Sequence, residues 1–241
     1  MTKRILMCCT LMLGCLGAAP ATQPSLSGQA TSQPPRILYQ APPQAGPVTR
    51  VDGPLRGSSD QGPSIFLLSP EHTGLTTQEQ PSLFWYMDRP AGHVKMLLTI
   101  LQDKNPQPLV ELSLDPTKAG IQRVDLSTTR CKLATGQEYQ WVVALVPDEA
   151  HRMDDVTRSA VIRRIDPPES LVEKMLTLGS TLDRAVEYAK SGIWYDALAA
   201  VSDQIDAAPT DATVRNLRAQ MCDQVNLPQV AAYDADAAQP K

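Results

Sequence analysis

Short runs of alternating apolar and polar residues fill the middle of the chain, most clearly at positions 94–102 and 138–146. In a half-buried β-strand every second side chain lies on the same face, which produces this alternation. Turn-forming residues separate the runs from one another. The pattern predicts seven strands, at residues 65–68, 82–87, 94–102, 109–114, 120–126, 138–146 and 157–165.

After Pro167 and Pro168 the apolar period lengthens to about 3.6 residues, which is typical of an amphipathic helix. Proline cannot continue a strand, and it suits the first turn of a helix. The pattern predicts about three helices, at residues 169–189, 194–206 and 211–225. Residues 227–241 are predicted to form a flexible tail.

The two patterns together predict an α+β chain, with an all-β sandwich at residues 64–166 and a short all-α segment at residues 167–226. Seven antiparallel strands in about 100 residues is the size of an immunoglobulin-like or fibronectin type III sandwich. The spacing Leu133-x-x-Gly136-x-x-Tyr139 resembles the tyrosine corner of those sandwiches. The aromatic side chains predicted to fill the core are Trp85, Tyr139, Trp141 and Trp194.

The helical segment resembles one tetratricopeptide unit of about 34 residues, over positions 178–211. The matching positions are Tyr188, Gly192, Trp194, Ala197, Leu198 and Pro209. Gln204 departs from the pattern, because a small residue is expected there. One and a half units cannot form a self-supporting solenoid, so the helices are predicted to pack on each other and partly on the sandwich.

Residues 1–21 are predicted to be a signal peptide. Lys3 and Arg4 precede an apolar run at residues 5–16, which is too short to span a bilayer. A small-x-small cleavage site ends at Ala21, which makes Thr22 the first mature residue.

Two alternatives to this cleavage remain open. Met12-Leu13-Gly14-Cys15 resembles a lipobox, in which Cys15 is lipidated, and the segment could also stay as an uncleaved anchor. Each reading predicts an exported protein, periplasmic or anchored to a membrane of the cell envelope.

Residues 22–63 hold eight prolines and hardly any apolar clusters. Such a segment cannot bury enough surface to offset the entropy of ordering it, so a disordered tether is predicted. Residues 36–39 are its one apolar patch, either a short docking motif or a site of transient local contact.

Export limits which cysteines can pair. Cys8, Cys9 and Cys15 lie in the signal region, which leaves Cys131 and Cys222 in the mature protein. These two form either a disulfide in an oxidising compartment or two separate buried thiols.

The mature chain is acidic, because loss of Lys3 and Arg4 moves the formal net charge from −4 to −6. The chain lacks the basic stripe that a phosphate backbone requires, so no nucleic acid partner is predicted. The carboxylates of the helical segment form either a surface for a basic partner or a solvated face. They are Asp196, Asp203, Asp206 and Asp211.

Two loops carry residue types that could bind a metal ion, Glu71-His72 and His151-Asp155, provided that both loops meet at one end of the sandwich. The sequence has no HExxH, CxxC, GxSxG, P-loop or GxGxxG motif. No catalytic residue, metal ligand or cofactor is therefore predicted.

A series of short motifs runs through the sandwich and the helices. They are Leu68-Ser69-Pro70, Gly74-Leu75-Thr76, Pro81, Phe84-x-Tyr86, Gly136-x-x-Tyr139-x-Trp141, Asp148 with Arg152, Val161-Ile162-x-Arg164-Ile165 and Gly192-Ile193-Trp194-Tyr195-Asp196-Ala197-Leu198. In this order, over about residues 64–201, the chain resembles a bacterial envelope family known as domain of unknown function 928. The resemblance implies an exported protein without assigned chemistry, and it carries over no catalytic residue.

These observations predict a non-enzymatic envelope protein that holds a protein partner through its sandwich edge or its helices. A membrane partner is predicted only for the lipobox alternative, through a lipid anchor on Cys15. One alternative is an exported hydrolase or metal-dependent enzyme that uses the Glu71-His72 and His151-Asp155 loops. Another is a carbohydrate-binding module, which requires an exposed ring at Trp194 or Tyr195.

Overall fold

A computed structural model describes residues 36–43, 46, 49–51, 62–102, 105 and 107–239 of the chain. The predicted signal peptide, with its cleavage site between Ala21 and Thr22 and with Cys15, lies outside these residues, as do residues 22–35 of the predicted tether. Within the described residues the chain is α+β, with eight strands and five α-helices.

Two β-sheets form the first part of the fold. The strands are β1 (Ile65–Leu67), β2 (Gly74–Thr76), β3 (Ser82–Met87), β4 (Lys95–Gln102), β5 (Pro108–Leu114), β6 (Gly120–Asp125), β7 (Glu138–Val146) and β8 (Val156–Arg164). One sheet has the order β1-β3-β6, and the other has the order β2-β8-β7-β4-β5. β2 runs parallel to β8, whereas the other named strands pair antiparallel.

The two sheets share one hydrophobic core. Alternate residues of β3 contribute Leu83 and Trp85, and β7 contributes Trp141 and Val143. The aromatic side chains predicted for the core are all buried, with exposed fractions of 3% or less for Trp85, Tyr139, Trp141 and Trp194.

The two sheets together have one strand more than the seven predicted. β1 and β3 to β8 lie within one residue of the predicted positions, and β2 is the strand that the sequence does not reveal. It is three residues long, so it holds too little alternation to be recognised. The first residue of β2 is a glycine because the strand packs closely against α3. A Cβ atom on Gly74 would lie 2.6 Å from Cε2 of Tyr195.

Five helices follow the strands, in place of the predicted three: α1 (Glu169–Thr177), α2 (Thr181–Lys190), α3 (Trp194–Ala207), α4 (Ala212–Asp223) and α5 (Pro228–Ala237). The helix predicted at 169–189 is interrupted before Thr181. Ser180 begins α2, since its hydroxyl accepts a hydrogen bond from the Asp183 amide at 3.0 Å. No helix in the described part of the chain is long and apolar enough to cross a bilayer.

Helix α5 lies in the stretch that the sequence predicts to be a flexible tail, so that prediction is wrong for residues 228–237. An ion pair helps to hold this helix in place. Asp234 is fully buried, and its carboxylate accepts hydrogen bonds from Nε of Arg218 at 2.6 Å and from Nη2 at 2.8 Å. The spacing of apolar residues, on which the helix predictions rest, does not reveal such a contact.

The helices cover the outer face of the three-stranded sheet. Arg123 of β6 lies over the ring of Phe84 and donates a hydrogen bond to Asp203 of α3 at 2.5 Å. The rings of Tyr86 and Tyr233 of α5 have their centroids 5.1 Å apart. One hydrophobic cluster therefore continues from the sandwich into the helices.

Residues 36–42, here called the strap, lie against the helices. The sequence predicts a disordered tether over 22–63, and the structure differs from that prediction at the strap. Ile37 is only 1% exposed, and the Gln40 amide donates to the Ala189 carbonyl of α2 at 3.0 Å. Further along, Val51 pairs with Ser159 of β8.

Candidate binding surface of the helical segment

The first turn of α3 is buried in the seam between the sheets and the helices. The indole N–H of Trp194 donates to the Leu68 carbonyl at 2.9 Å. The hydroxyl of Tyr195 accepts from the Trp141 indole at 2.8 Å and lies 3.0 Å from the Ser69 hydroxyl. Burial raises the pKa of Tyr195 to about 12, so the phenol stays neutral. Both rings are closed to solvent, and neither is available to stack on a sugar.

Asp196 ties α3 to the end of β2. Its carboxylate accepts from the Thr76 hydroxyl at 2.5 Å, from the Thr77 amide at 3.1 Å, and from the Thr77 hydroxyl. Burial raises the pKa of this carboxyl. The carboxylate is therefore a structural group of the seam.

The other three helical carboxylates also have partners inside the protein. Asp203 and Asp206 lie 2.5 Å and 3.7 Å from Nη1 of Arg123. Asp211 begins α4, because its side chain accepts from the Thr213 amide at 2.8 Å. The carboxylates of the predicted acidic helical face thus contact different groups within the protein.

The Glu71-His72 loop packs against the strap and the helices. The ring of His72 stacks on Tyr39, and Glu71 accepts a hydrogen bond from the Asn226 side chain at 3.0 Å. Because Gly74 lies opposite Ile162 in the parallel pair, this loop stands beside the middle of β8.

The His151-Asp155 loop precedes β8, and its described side-chain hydrogen bonds stay within residues 148–155. His151 bonds to Asp148 at 2.7 Å, and Asp155 bonds to Arg152 at 2.6 Å. Among the residues that the structure describes, no three His, Cys, Asp or Glu side chains form a group suited to a metal ion.

Cys131 and Cys222 are free, buried thiols. The disulfide that the sequence allowed is therefore not formed in this structure. Burial raises the pKa of both, to about 12 for Cys222. A thiol held protonated in this way is a poor nucleophile at neutral pH.

An open groove of about 580 Å³ lies between α4 and α5. Its residues on α4 include Asn216, Gln220 and Asp223, and α5 contributes Ala231 and Ala235. The three polar side chains are exposed, and they make no hydrogen bond or ion pair with any residue that the structure describes. The groove thus presents unused donors and acceptors beside a wall of small residues.

The same side of α4 already binds main chain at its C-terminal end. Oε1 of Gln224 accepts from the Tyr39 amide at 2.9 Å, and Nε2 donates to the Ile37 carbonyl at 2.9 Å. Residues four apart lie on one side of a helix, so Asn216, Gln220 and Gln224 form a line of amides, here called the amide stripe. Its last member holds the strap, whereas the first two face the open groove.

Sequence reasoning did not single out the amide stripe. A periodic pattern of apolar residues identifies the buried face of α4, and it gives no weight to polar residues on the opposite face. The second wall of the groove is α5, which was predicted as a tail. The spacing of Asn216, Gln220 and Gln224 was the one available signal.

Comparison with known proteins gives one substantial match. The model of the family described as Domain of Unknown Function (DUF928) matches residues 49–234. None of the curated proteins matches the chain. Among solved structures, a multi-domain immunophilin from Arabidopsis thaliana is 9% identical over 83% of this chain and 100% of that chain, with a TM-score of 0.19. A TM-score this low does not indicate a shared fold.

Proposed function

We propose that this protein, which belongs to the DUF928 family, is an exported, non-enzymatic interaction module of the cell envelope. In this proposal the helical segment binds an extended segment of a partner protein. The sandwich is the scaffold that holds the helices in place.

We assign the sandwich to the immunoglobulin-like class and the helices to the tetratricopeptide-like class. Two features support the first assignment. β2 leaves the three-stranded sheet to pair with β8, and the Ala134 amide donates to the Tyr139 hydroxyl at 2.9 Å, as in a tyrosine corner. Two helical hairpins in succession, α2–α3 and α4–α5, support the second.

The proposed function rests on one observation, the two hydrogen bonds that the side chain of Gln224 makes with the main chain of the strap. A side-chain amide with both a donor and an acceptor can bond to the carbonyl and the amide of an extended chain. Asn216 and Gln220 offer the same pair of groups along the open groove. An extended peptide in that groove can therefore be held through its main chain, in the way that residues 37–39 are held.

The charge of the groove specifies the partner further. Asp223 is the one charged residue among those that line the groove in the described part of the chain. Nearby, Arg215 and Arg218 are both engaged with Asp234. A lysine or arginine in the peptide would pair with Asp223, so the proposed occupant is an extended segment with a basic residue.

Selection from a phage-displayed library of random twelve-residue peptides on the full-length protein tests this function. We expect selected peptides to carry Lys or Arg. Each stripe amide contributes about 0.5–1.5 kcal/mol, so Asn216→Ala with Gln220→Ala should weaken binding by about tenfold. Fluorescence anisotropy measures the dissociation constants.

Gln229→Ala is the matched control, because Gln229 is an exposed residue of α5 that does not line the groove. It should leave binding unchanged. The proposal would be contradicted if no peptide were selected. It would also be contradicted if the selected peptides bound the Asn216→Ala, Gln220→Ala variant as tightly as the Gln229→Ala variant.

Export has a separate test, the mass of the mature N-terminus. Cleavage after Ala21 predicts a first residue of Thr22, and lipidation predicts an acylated Cys15. Mass spectrometry of the protein purified from its native cells distinguishes the two products. A protein that retains Met1 and is recovered from the cytoplasm would refute export.

A further inference from the structure

The strap lies in a surface formed by His72, Ala189, Gly192, Trp194 and Gln224, here called the strap seat. All five residues fall within the part of the chain that matches the DUF928 family, whereas the strap itself lies before it. The seat is therefore formed by the part of the chain that matches the family model, and its occupant comes from outside that part.

Most polar contacts of the strap are made by its main chain. Gln224 bonds to the Ile37 carbonyl and to the Tyr39 amide, and the Gln40 amide bonds to Ala189. The strap residues have neither helical nor strand structure. Any extended segment can make these three hydrogen bonds, whatever its side chains.

Two side chains give the seat its selectivity. Ile37 is buried in the common core, and Tyr39 packs edge-on against Trp194 with the ring centroids 5.0 Å apart. The hydroxyl of Tyr39 also lies 3.3 Å from Nε2 of His72. Leu38, between the two, is 59% exposed and contributes little.

The seat fits a backbone closely at its other end. Gly192 has a φ of +73°, and a Cβ atom there would lie 2.9 Å from the Gln40 carbonyl oxygen and 3.0 Å from Cγ of Pro42. The absence of a side chain at this position lets the extended chain pass over the end of α2.

We propose that the strap seat is a second peptide-binding site, for an extended segment that carries a branched aliphatic residue and a tyrosine two positions later. The strap fills the site in cis, and a partner segment of the same pattern fills it when the strap is displaced. This site is separate from the open groove, so binding to each can be tested without the other, although both proposals use the contact of Gln224 with the strap.

The test uses full-length protein with Ile37→Ala and Tyr39→Ala, which weakens the strap and leaves the seat intact. The probe is a fluorescein-labelled peptide of residues 36–43, and anisotropy reports its binding. We expect this variant to bind the peptide at least about tenfold more tightly than the wild type, whose seat is filled. Gln224→Ala added to the variant removes two hydrogen bonds and should weaken binding by about tenfold.

Two control peptides separate the anchors from the rest of the segment. A peptide with Leu38→Ala should bind as well as the parent, because Leu38 is exposed. A peptide with Ala in place of both Ile37 and Tyr39 should not bind. Asn216→Ala with Gln220→Ala should leave binding to the seat unchanged, which distinguishes this site from the open groove.

A folded double variant that fails to bind the peptide would overturn the proposal, as would equal binding of all three peptides. If the double variant does not fold, the same titration on the milder Tyr39→Ala variant gives the answer. Dimerisation of the wild type at high concentration, without peptide binding to the variant, would assign the seat to the strap of a second copy and so also overturn it.

Discussion

Replacement of Asp234 by alanine is expected to lower the free energy of unfolding by about 3–5 kcal/mol. The change leaves the Arg218 guanidinium buried without a carboxylate, and Arg215 loses the same partner. Because a domain of this kind is stable by about 5–15 kcal/mol in total, much of its stability depends on this one side chain. Urea unfolding followed by far-UV circular dichroism measures the change.

Asp236→Ala is the control, since Asp236 is an exposed aspartate of the same helix. It should change stability by no more than about 0.5 kcal/mol. Arg218→Met with Asp234→Leu replaces both charges by apolar groups, and it should be more stable than either single variant. Equal losses for Asp234→Ala and Asp236→Ala would show that the ion pair does not hold α5.

The second large effect is expected at the seam between the sheets and the helices. Asp196→Ala removes the acceptor of the Thr77 amide and of two threonine hydroxyls. An orphaned buried donor costs about 1–3 kcal/mol. Asp203→Ala, on the exposed side of the same helix, removes a surface ion pair that is worth at most about 1 kcal/mol. If the two changes cost the same in urea unfolding, Asp196 does not secure the seam.

The contribution of Asp196 also depends on pH, and its sign follows from the direction of the pKa shift. Burial raises the pKa of Asp196 above its ordinary value of 3.8, so the folded protein binds this proton more tightly than the unfolded chain does. The resulting stability is complete below 3.8 and is lost as the pH rises through the folded-state pKa.

The stability of the wild type relative to Asp196→Asn should therefore fall as the pH rises from the ordinary value of 3.8 through the raised pKa of the folded state. Comparison with this variant cancels the effects of other carboxylates, such as Glu187, whose pKa is lowered by its hydrogen bonds to Lys174 and Lys190. A difference that is constant or grows over this range would contradict the assignment.

The elements that the sequence predicts correctly are those in which the pattern of apolar residues repeats over several helical turns or strand pleats. β7 shows four alternations, and its bounds at Glu138 and Val146 agree with the prediction. α3 was found to within one residue for the same reason. Periodicity reports the burial of many side chains at once, so long elements are predicted reliably.

Elements that depend on single contacts were not predicted. β2 exists beside α3, where Gly74 admits the ring of Tyr195, and α5 is held by the Arg218–Asp234 pair. The strap depends on Ile37 and on the side chain of Gln224, which follows it by 187 positions. Composition alone indicated a disordered segment there, because it averages over the few residues that make such contacts.

The candidate binding surface was anticipated only in outline. The sequence predicts that a partner is held by the sandwich edge or by the helices. The candidate binding groups that it offers are Glu71, His72 and the helical carboxylates. In the structure these groups contact neutral side chains, nearby arginines and backbone amides. The groups left over on α4 are neutral amides, which neither charge counting nor motif searching identifies.

Arg50 has a consequence for how the chain folds. Its guanidinium donates to the Ser69 carbonyl at 2.5 Å and to the Val225 carbonyl at 2.9 Å, across 175 positions of sequence. Contacts between such distant residues slow folding, because the intervening chain must be brought together before they form. During synthesis from the N-terminus, the Arg50 contacts cannot be completed until Val225 has left the ribosome. A chain that stops before Gln224 would therefore lack the contacts that Arg50 and the strap make with the end of α4, as well as α5 itself.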